Sequence, residues 1–154
     1  MRKSRGSGFT LLELMVATAV AALLLGIAVP TYFDHVNKLK VGQAKQDLLM
    51  LAAAIERYRT AHDFKLPDTL DDVLHQAMND PWGNPYQYLN FSSGALGVTG
   101  KIRKDHNLHP LNSEFDLYSM GADGTSSAPL TAKASRDDVI WARDGSFVGL
   151  GADF

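Results

Sequence analysis

The chain has 154 residues, 45% of them hydrophobic, with no cysteine and a formal net charge of −2. This length and composition indicate a folded domain. The lack of cysteine excludes a disulfide scaffold, a Cys-ligated zinc or iron–sulfur site and a cysteine nucleophile. Residues 1–62 carry eight Lys/Arg against four Asp/Glu, whereas residues 63–154 carry seven against thirteen. The first part is therefore basic and apolar and the second acidic, which excludes a surface built throughout for nucleic acid.

The chain begins with a short basic segment, residues 1–8, followed by an apolar run from Phe9 to Val29 in which 17 of 21 residues are apolar. As a helix this run would span roughly 31 Å, the thickness of the hydrocarbon core of a bilayer. A secretory signal peptide would have a shorter apolar core and a small-residue cleavage site after it. A plain signal anchor fits the length, with the basic segment retained in the cytoplasm.

Neither of these interpretations explains Glu13, which lies five positions into the apolar run. A carboxylate at membrane depth costs several kcal/mol unless it is neutralised or paired, so an acidic residue here is a functional candidate. The alternative is a side chain close enough to the lipid headgroups to stay hydrated.

Residues 8–13, with the sequence GFTLLE, closely resemble the processing signature of prepilins, the precursors of the type IV pilin-like family. The resemblance implies that a prepilin peptidase cleaves between Gly8 and Phe9 and methylates the new amine of Phe9. It also implies that Glu13 pairs with the amino terminus of a neighbouring subunit during assembly. A buried carboxylate and a buried ammonium group offset each other's loss of hydration when they come into contact.

Residues 31–62 continue the helical pattern as an amphipathic segment, and the whole helix is predicted to have about 50 residues. Pro30 removes one backbone hydrogen bond and is expected to kink or loosen the helix. Apolar residues at three- and four-residue steps form the predicted stripe: Phe33, Val36, Leu39, Ala44, Leu48, Leu51, Ala52, Ile55 and Tyr58.

Residues 63–154 predict a small head. A short helix is expected from Asp68 or Thr69 to Met78, with Leu70, Val73, Leu74 and Ala77 facing inward. Strands are predicted over residues 86–91 and 114–120, and a hairpin over residues 139–150 with Asp144 and Gly145 as a two-residue turn. The fold class is α+β: a long N-terminal helix, transmembrane in its first half, packed on a small antiparallel sheet. The expected divisions are a leader (1–8), a membrane and filament-core helix (9–30), its amphipathic continuation (31–62) and the head (63–154).

Two strings in the head, DPWGNPY at residues 80–86 and FDLYSMGADG at residues 115–124, resemble the major pseudopilin of type II secretion systems. The resemblance implies a calcium site in the loop before the last strands. Hard oxygen ligands and a flexible loop suit Ca²⁺. The implied ligands are the carboxylates of Asp123 and Asp137, the carbonyls of Met120 and Thr125, and more weakly the carbonyl of Ser135, with Asp138 as an alternative to Asp137.

The loop between these carboxylates is longer than is typical of that family and contains two basic residues, Lys133 and Arg136. Without the resemblance, the same residues are an Asp-Gly turn with acidic residues on the surface. Farther back, the basic segment of residues 101–106 predicts a solvated loop, and no nucleic-acid partner is expected.

The resemblance implies a structural subunit rather than an enzyme, anchored once in the bacterial inner membrane with its head in the periplasm. Its expected partners are further copies of itself, the prepilin peptidase, minor pseudopilins, and an inner-membrane assembly platform with its ATPase. The filament would drive protein export. Two alternatives remain open: a type IV pilin for adhesion, twitching or DNA uptake, and a membrane-anchored calcium-binding domain that does not polymerise.

Overall fold

The computed structural model describes residues 8–74, 77–93, 98–106 and 108–154. The chain divides into two compact units, which meet in sequence between Lys38 and Leu39. The predicted leader lies outside the described residues except for Gly8, as do residues 75–76 of the predicted short helix.

A single helix, α1 (Leu11–Ala61), has 51 residues and confirms the predicted length. Pro30 lies inside it, and the helical assignment continues without a break through this residue. Proline cannot donate a hydrogen bond to the preceding turn. The hydroxyl of the next residue, Thr31, donates to the carbonyl of Ile27 at 2.9 Å.

The second unit contains a four-stranded sheet: β1 (Gln87–Asn90), β2 (Phe115–Ser119), β3 (Val139–Ala142) and β4 (Phe147–Leu150). The strands are all antiparallel and lie in the order β1-β2-β3-β4. The sheet therefore confirms the α+β class and all four predicted strands. A short helix, α2 (Val98–Lys101), was not predicted.

The two faces of the sheet carry alternate residues of the strands and bury separate clusters. On one face, five residues of α1 pack with residues of β2 and β3, and the rings of Phe115 and Trp141 stack with their centroids 4.8 Å apart. The helical residues of this core are Ala44, Leu48, Leu51, Ala52 and Ile55. On the other face, Ile140 and Ala142 pack with Leu111 and Leu130. The predicted stripe is thus confirmed from Ala44 to Ile55, whereas Phe33 and Leu39 are exposed.

Two local predictions were wrong. The expected helix up to Met78 is only a 3₁₀ turn, Leu70–Asp72, and Ala77 is exposed rather than inward-facing. Adjacent aspartates at 71 and 72 have low helix propensity, and a short helix does not recover the cost of its nucleation. The Asp72 carboxylate instead accepts hydrogen bonds from the backbone N–H and the hydroxyl of Thr69, at 2.8 and 3.0 Å.

The hairpin turn has four residues, 143–146, because Ala142 pairs directly with Phe147. The sequence had predicted a two-residue turn. Arg143 and Asp144 both have φ of 52°. A neighbouring loop holds this conformation: the Ser113 N–H donates to Asp144 Oδ1 at 2.9 Å, and the Asp144 N–H donates to Asn112 Oδ1 at 3.1 Å.

Two adjacent leucines on α1 provide a matched test of this core. Leu48 is fully buried, whereas Leu49 is 52% exposed. We expect Leu48→Ala to lower the free energy of unfolding by about 2–5 kcal/mol, and Leu49→Ala to change it by about 0.5 kcal/mol or less. Urea unfolding of the detergent-solubilised chain, followed by tryptophan fluorescence, measures both, because Trp82 and Trp141 lie in the second unit. Equal losses for the two variants would contradict the assigned core face.

Candidate functional site

The predicted cleavage position lies just before α1. Gly8, Phe9 and Thr10 have no regular secondary structure, and all three are exposed. Phe9 is 89% exposed, and a Cβ added to Gly8 would meet no atom of the described residues within 4 Å. The Gly8–Phe9 peptide bond lies before the first residue of α1, so a peptidase does not have to unwind the helix to reach it.

Glu13 forms a capping box with Thr10 at the start of α1. Glu13 Oε2 accepts hydrogen bonds from the backbone N–H and the hydroxyl of Thr10, both at 3.0 Å. In return, the Glu13 N–H donates to Thr10 Oγ1 at 3.2 Å. This reciprocal arrangement satisfies donors that a helix otherwise leaves without partners. The spacing Thr-x-x-Glu before an apolar run is the known signature of this cap, but the cap was not predicted from the sequence.

The membrane-facing part of α1 carries a continuous apolar surface. Leu23, Leu24 and Leu25 are each at least 60% exposed. Consecutive helical residues are about 100° apart around the axis, so these three side chains cover different sides of the helix. Among the described residues, α1 is the one helix long and apolar enough to cross a membrane. Such a surface requires burial in lipid or against other protein chains.

The two strings that carry the resemblance in the head lie against each other. The buried carboxylate of Asp80 accepts hydrogen bonds from the backbone N–H groups of Trp82 and Asn84, at 3.0 and 2.8 Å, and from the hydroxyl of Ser119 at 2.5 Å. The Asn84 amide donates to the Gly121 carbonyl at 3.0 Å. The turn before β1 and the turn after β2 are therefore joined by side-chain hydrogen bonds.

Asp123 and Asp137, the first two implied calcium ligands, lie close to each other. Asp137 Oδ2 accepts hydrogen bonds from the backbone N–H groups of Ala122 and Asp123, at 3.0 and 3.1 Å. Asp123 Oδ1 accepts from the N–H of Thr125 at 2.8 Å. One oxygen of each carboxylate is thus used by the backbone of the same turn, which Met120 precedes.

The remaining candidates are buried and have other partners. The Ser135 hydroxyl donates to the Ser127 carbonyl at 2.7 Å and accepts from the Ser127 N–H at 2.9 Å. Asp138 is fully buried, and its Oδ2 accepts hydrogen bonds from Arg103 Nη2 at 2.5 Å and from the hydroxyl of Ser126 at 2.6 Å. Burial raises the pKa of the Asp138 carboxyl, and the Arg103 guanidinium opposes this shift.

The metal site implied by the resemblance stays a prediction. Within the ranges that the structure describes, no three His, Asp or Glu side chains are grouped closely enough to hold a metal ion.

The whole basic segment 101–106 was predicted from the sequence to be a solvated loop. That is right for Lys101 and Lys104, which are exposed, but wrong for Arg103, which is 2% exposed.

Comparisons with known proteins agree with both sets of motifs. The sequence profile of the family described as "Prokaryotic N-terminal methylation motif" matches residues 3–29. The "Type II secretion system core protein G" of Pseudomonas aeruginosa is 33% identical over 145 residues, covering 80% of this chain and 89% of the relative. The protein of the same name from Aeromonas hydrophila is 30% identical over 145 residues, covering 80% and 88%.

A third relative, "Fimbrial protein Q" of Moraxella bovis, is 30% identical over 130 residues, covering 84% of this chain and 72% of the relative. No solved structure matches the chain.

The N-terminal methylation motif, the exposed apolar helix and the antiparallel sheet of the second unit define a membrane-anchored subunit of the type IV pilin-like class. Within this class, the chain belongs to the family of type II secretion system core protein G.

Proposed function

We propose that the chain is the main structural subunit of a type II secretion pseudopilus, and that it catalyses no reaction itself. In this proposal a prepilin peptidase cleaves between Gly8 and Phe9 and methylates the Phe9 amine. The subunit then resides in the inner membrane with its head in the periplasm. From there it joins a periplasmic filament whose growth drives protein export.

The observation that carries this proposal is the apolar surface on all sides of the first part of α1. The large side chains from Leu11 to Val29 are each at least 46% exposed in the single chain. Lipid covers this surface before assembly. In a filament, the same helices of other copies would cover it, which explains why no side of the helix is polar.

Glu13 gives the proposed assembly its direction and register. A carboxylate in the apolar segment is unfavourable in an isolated subunit, and a positively charged amino terminus of the neighbouring copy would relieve this penalty. Cleavage after Gly8 creates that amine on Phe9, and Glu13 is then the fifth residue of the mature chain. Processing would therefore supply the partner that assembly requires.

The proposed partners of the chain follow from its cleavage, its residence in the membrane and its assembly into a filament. They are other copies of the chain, the prepilin peptidase, minor pseudopilins, and the inner-membrane assembly platform with its ATPase. A nucleic-acid partner is not part of the proposal, because residues 63–154 are acidic and the cationic side chain of Arg103 is buried.

The test is complementation of a strain in which the gene for this chain is deleted. With the wild-type chain we expect restored export of secreted enzymes. Mass spectrometry should show a mature protein that begins with methylated Phe9. With Gly8→Val we expect the full-length, unmethylated mass and no restored export. Because no atom of the part of the chain that the structure describes lies within 4 Å of a Cβ at Gly8, the substitution leaves the described contacts intact.

The relative named as a fimbrial protein supports the second candidate, a type IV pilin. In that case the deletion would abolish surface pili or twitching motility while export stayed normal. A chain that stays uncleaved in a strain with active peptidase, while export, pili and motility are all normal, would instead be a plain membrane anchor.

A further inference from the structure

Arg103 is a buried cation in the head. Its guanidinium donates hydrogen bonds from Nη2 to Asp138 Oδ2 at 2.5 Å and from Nη1 to Ser126 Oγ at 2.6 Å. Its Cζ lies 4.1 Å from the centre of the Tyr118 ring. The side chain therefore contacts β2, the residue before β3 and the loop that joins these two strands.

This loop, residues 120–138 (the long loop), is also held by the backbone around Arg103. The Lys104 N–H donates to the Ala128 carbonyl at 3.0 Å, and the Leu130 N–H donates to the Lys104 carbonyl at 2.9 Å. The Arg103 N–H donates to Asp116 Oδ2 in β2 at 2.7 Å. The segment 103–104 thus fastens the middle of the long loop to the sheet by both main-chain and side-chain contacts.

The carboxylate that Arg103 neutralises, Asp138, is the one that the metal hypothesis names as an alternative to Asp137. Asp138 is the most deeply buried of the three acidic residues of the long loop, and a buried carboxylate needs a cation or several donors. Here the guanidinium and the Ser126 hydroxyl both donate hydrogen bonds to Asp138 Oδ2. Two backbone N–H groups donate hydrogen bonds to Asp137 Oδ2.

The atoms left over at this site do not favour a second cation. Within the described ranges, Arg103 Nε and Asp138 Oδ1 are the buried side-chain atoms without a hydrogen-bond partner, one a donor and one an acceptor. A divalent cation at Oδ1 would satisfy only the acceptor, and it would be repelled by the guanidinium bound to the same carboxylate.

We propose that Arg103 is the built-in cation of the long loop. In this proposal its guanidinium neutralises a buried carboxylate of the long loop and holds the loop to the sheet, which is the role that the resemblance assigns to calcium. The head of this chain then keeps the long loop in place at any calcium concentration. The proposal concerns the head alone and does not depend on whether the chain polymerises.

The first test uses the full chain in detergent micelles, with tryptophan fluorescence as the probe of head unfolding. We expect the melting temperature to be the same in millimolar calcium, millimolar magnesium and chelator, within about 2 °C. A site that calcium filled at a hundred times its dissociation constant would raise it by roughly 10 °C. A calcium-specific rise of that size in the wild-type chain would overturn the proposal.

The second test removes the guanidinium. Arg103→Met is expected to lower the melting temperature by about 10 °C or more, because it leaves Asp138 buried without its cation. The matched control is Arg136→Met, which removes the same charge from an exposed position in the same loop. We expect this control to melt within about 2 °C of the wild type.

A double variant, Arg103→Met with Asp138→Leu, should recover much of the lost stability, because it removes the uncompensated charge as well. Equal melting of Arg103→Met and Arg136→Met would overturn the proposal. If Arg103→Met does not fold, the comparison of calcium with chelator on the wild-type chain decides the question.

Discussion

Replacing Glu13 by alanine is expected to abolish filament assembly while the chain still inserts in the membrane. An unpaired carboxylate at the centre of a membrane helix is unfavourable by about 2.5–3.5 kcal/mol, and this sets the upper bound of the free energy that pairing Glu13 with a neighbouring amine would recover. Its loss would lower the equilibrium constant for adding each subunit by up to roughly a hundredfold. Insertion should persist, because the substitution makes the segment more apolar.

The capping box complicates this variant, because Glu13 also closes the first turn of α1 through Thr10. Two further variants separate the roles. Glu13→Gln keeps a side chain that can accept from the Thr10 N–H but removes the charge, since glutamine also serves in capping boxes. Thr10→Ala keeps the charge and removes the hydroxyl cap.

If charge pairing drives assembly, Glu13→Gln fails like Glu13→Ala, and Thr10→Ala assembles. Electron microscopy of sheared filaments from an overproducing strain gives the readout, and membrane fractionation reports insertion. Normal filaments from Glu13→Gln, together with a defect in Thr10→Ala, would assign the role of Glu13 in assembly to helix capping instead.

The long helix and the four strands were predicted well from local sequence, whereas the short helix expected up to Met78 was not. The apolar run and the stripe at three- and four-residue steps predict α1 over nearly its full length, because helix formation depends on residues three and four positions apart. The strands were predicted from short runs of aromatic and β-branched residues bounded by turns. The cap of Glu13 was equally local, and its Thr-x-x-Glu spacing could have been recognised.

The features that depend on distant contacts were not predicted. Arg103 and Asp138 are 35 residues apart, and no local pattern distinguishes a buried arginine from its exposed neighbours Lys101 and Lys104. The turn at Asp144 follows the same rule: Asp-Gly favours a two-residue hairpin, but the loop at Asn112 and Ser113 holds a four-residue one. The implied calcium ligands also depend on distant contacts, and they stay a prediction.

Gly121→Ala is expected to destabilise the head by at least about 3 kcal/mol, among the larger effects of single substitutions. Gly121 has φ of +66°, a conformation that costs an L-residue about 1–2 kcal/mol. In addition, an added Cβ would collide with the main-chain carbonyl of Asp137, which is backbone and cannot rotate away. The collision would separate the turn after β2 from the residues that lead into β3.

Gly83→Ala measures the cost of a positive φ without a steric collision. Gly83 has φ of +99°, but no atom of the described residues lies within 4 Å of its added Cβ, so we expect a loss of only about 1–2 kcal/mol. Gly42 lies on α1, where no described atom is near its added Cβ, and we expect Gly42→Ala to raise the free energy of unfolding by about 0.5–1 kcal/mol. Urea midpoints of the three variants measure these differences. If Gly83→Ala and Gly121→Ala lose the same amount, backbone conformation alone accounts for both, and the close approach of Gly121 to Asp137 does not hold the long loop.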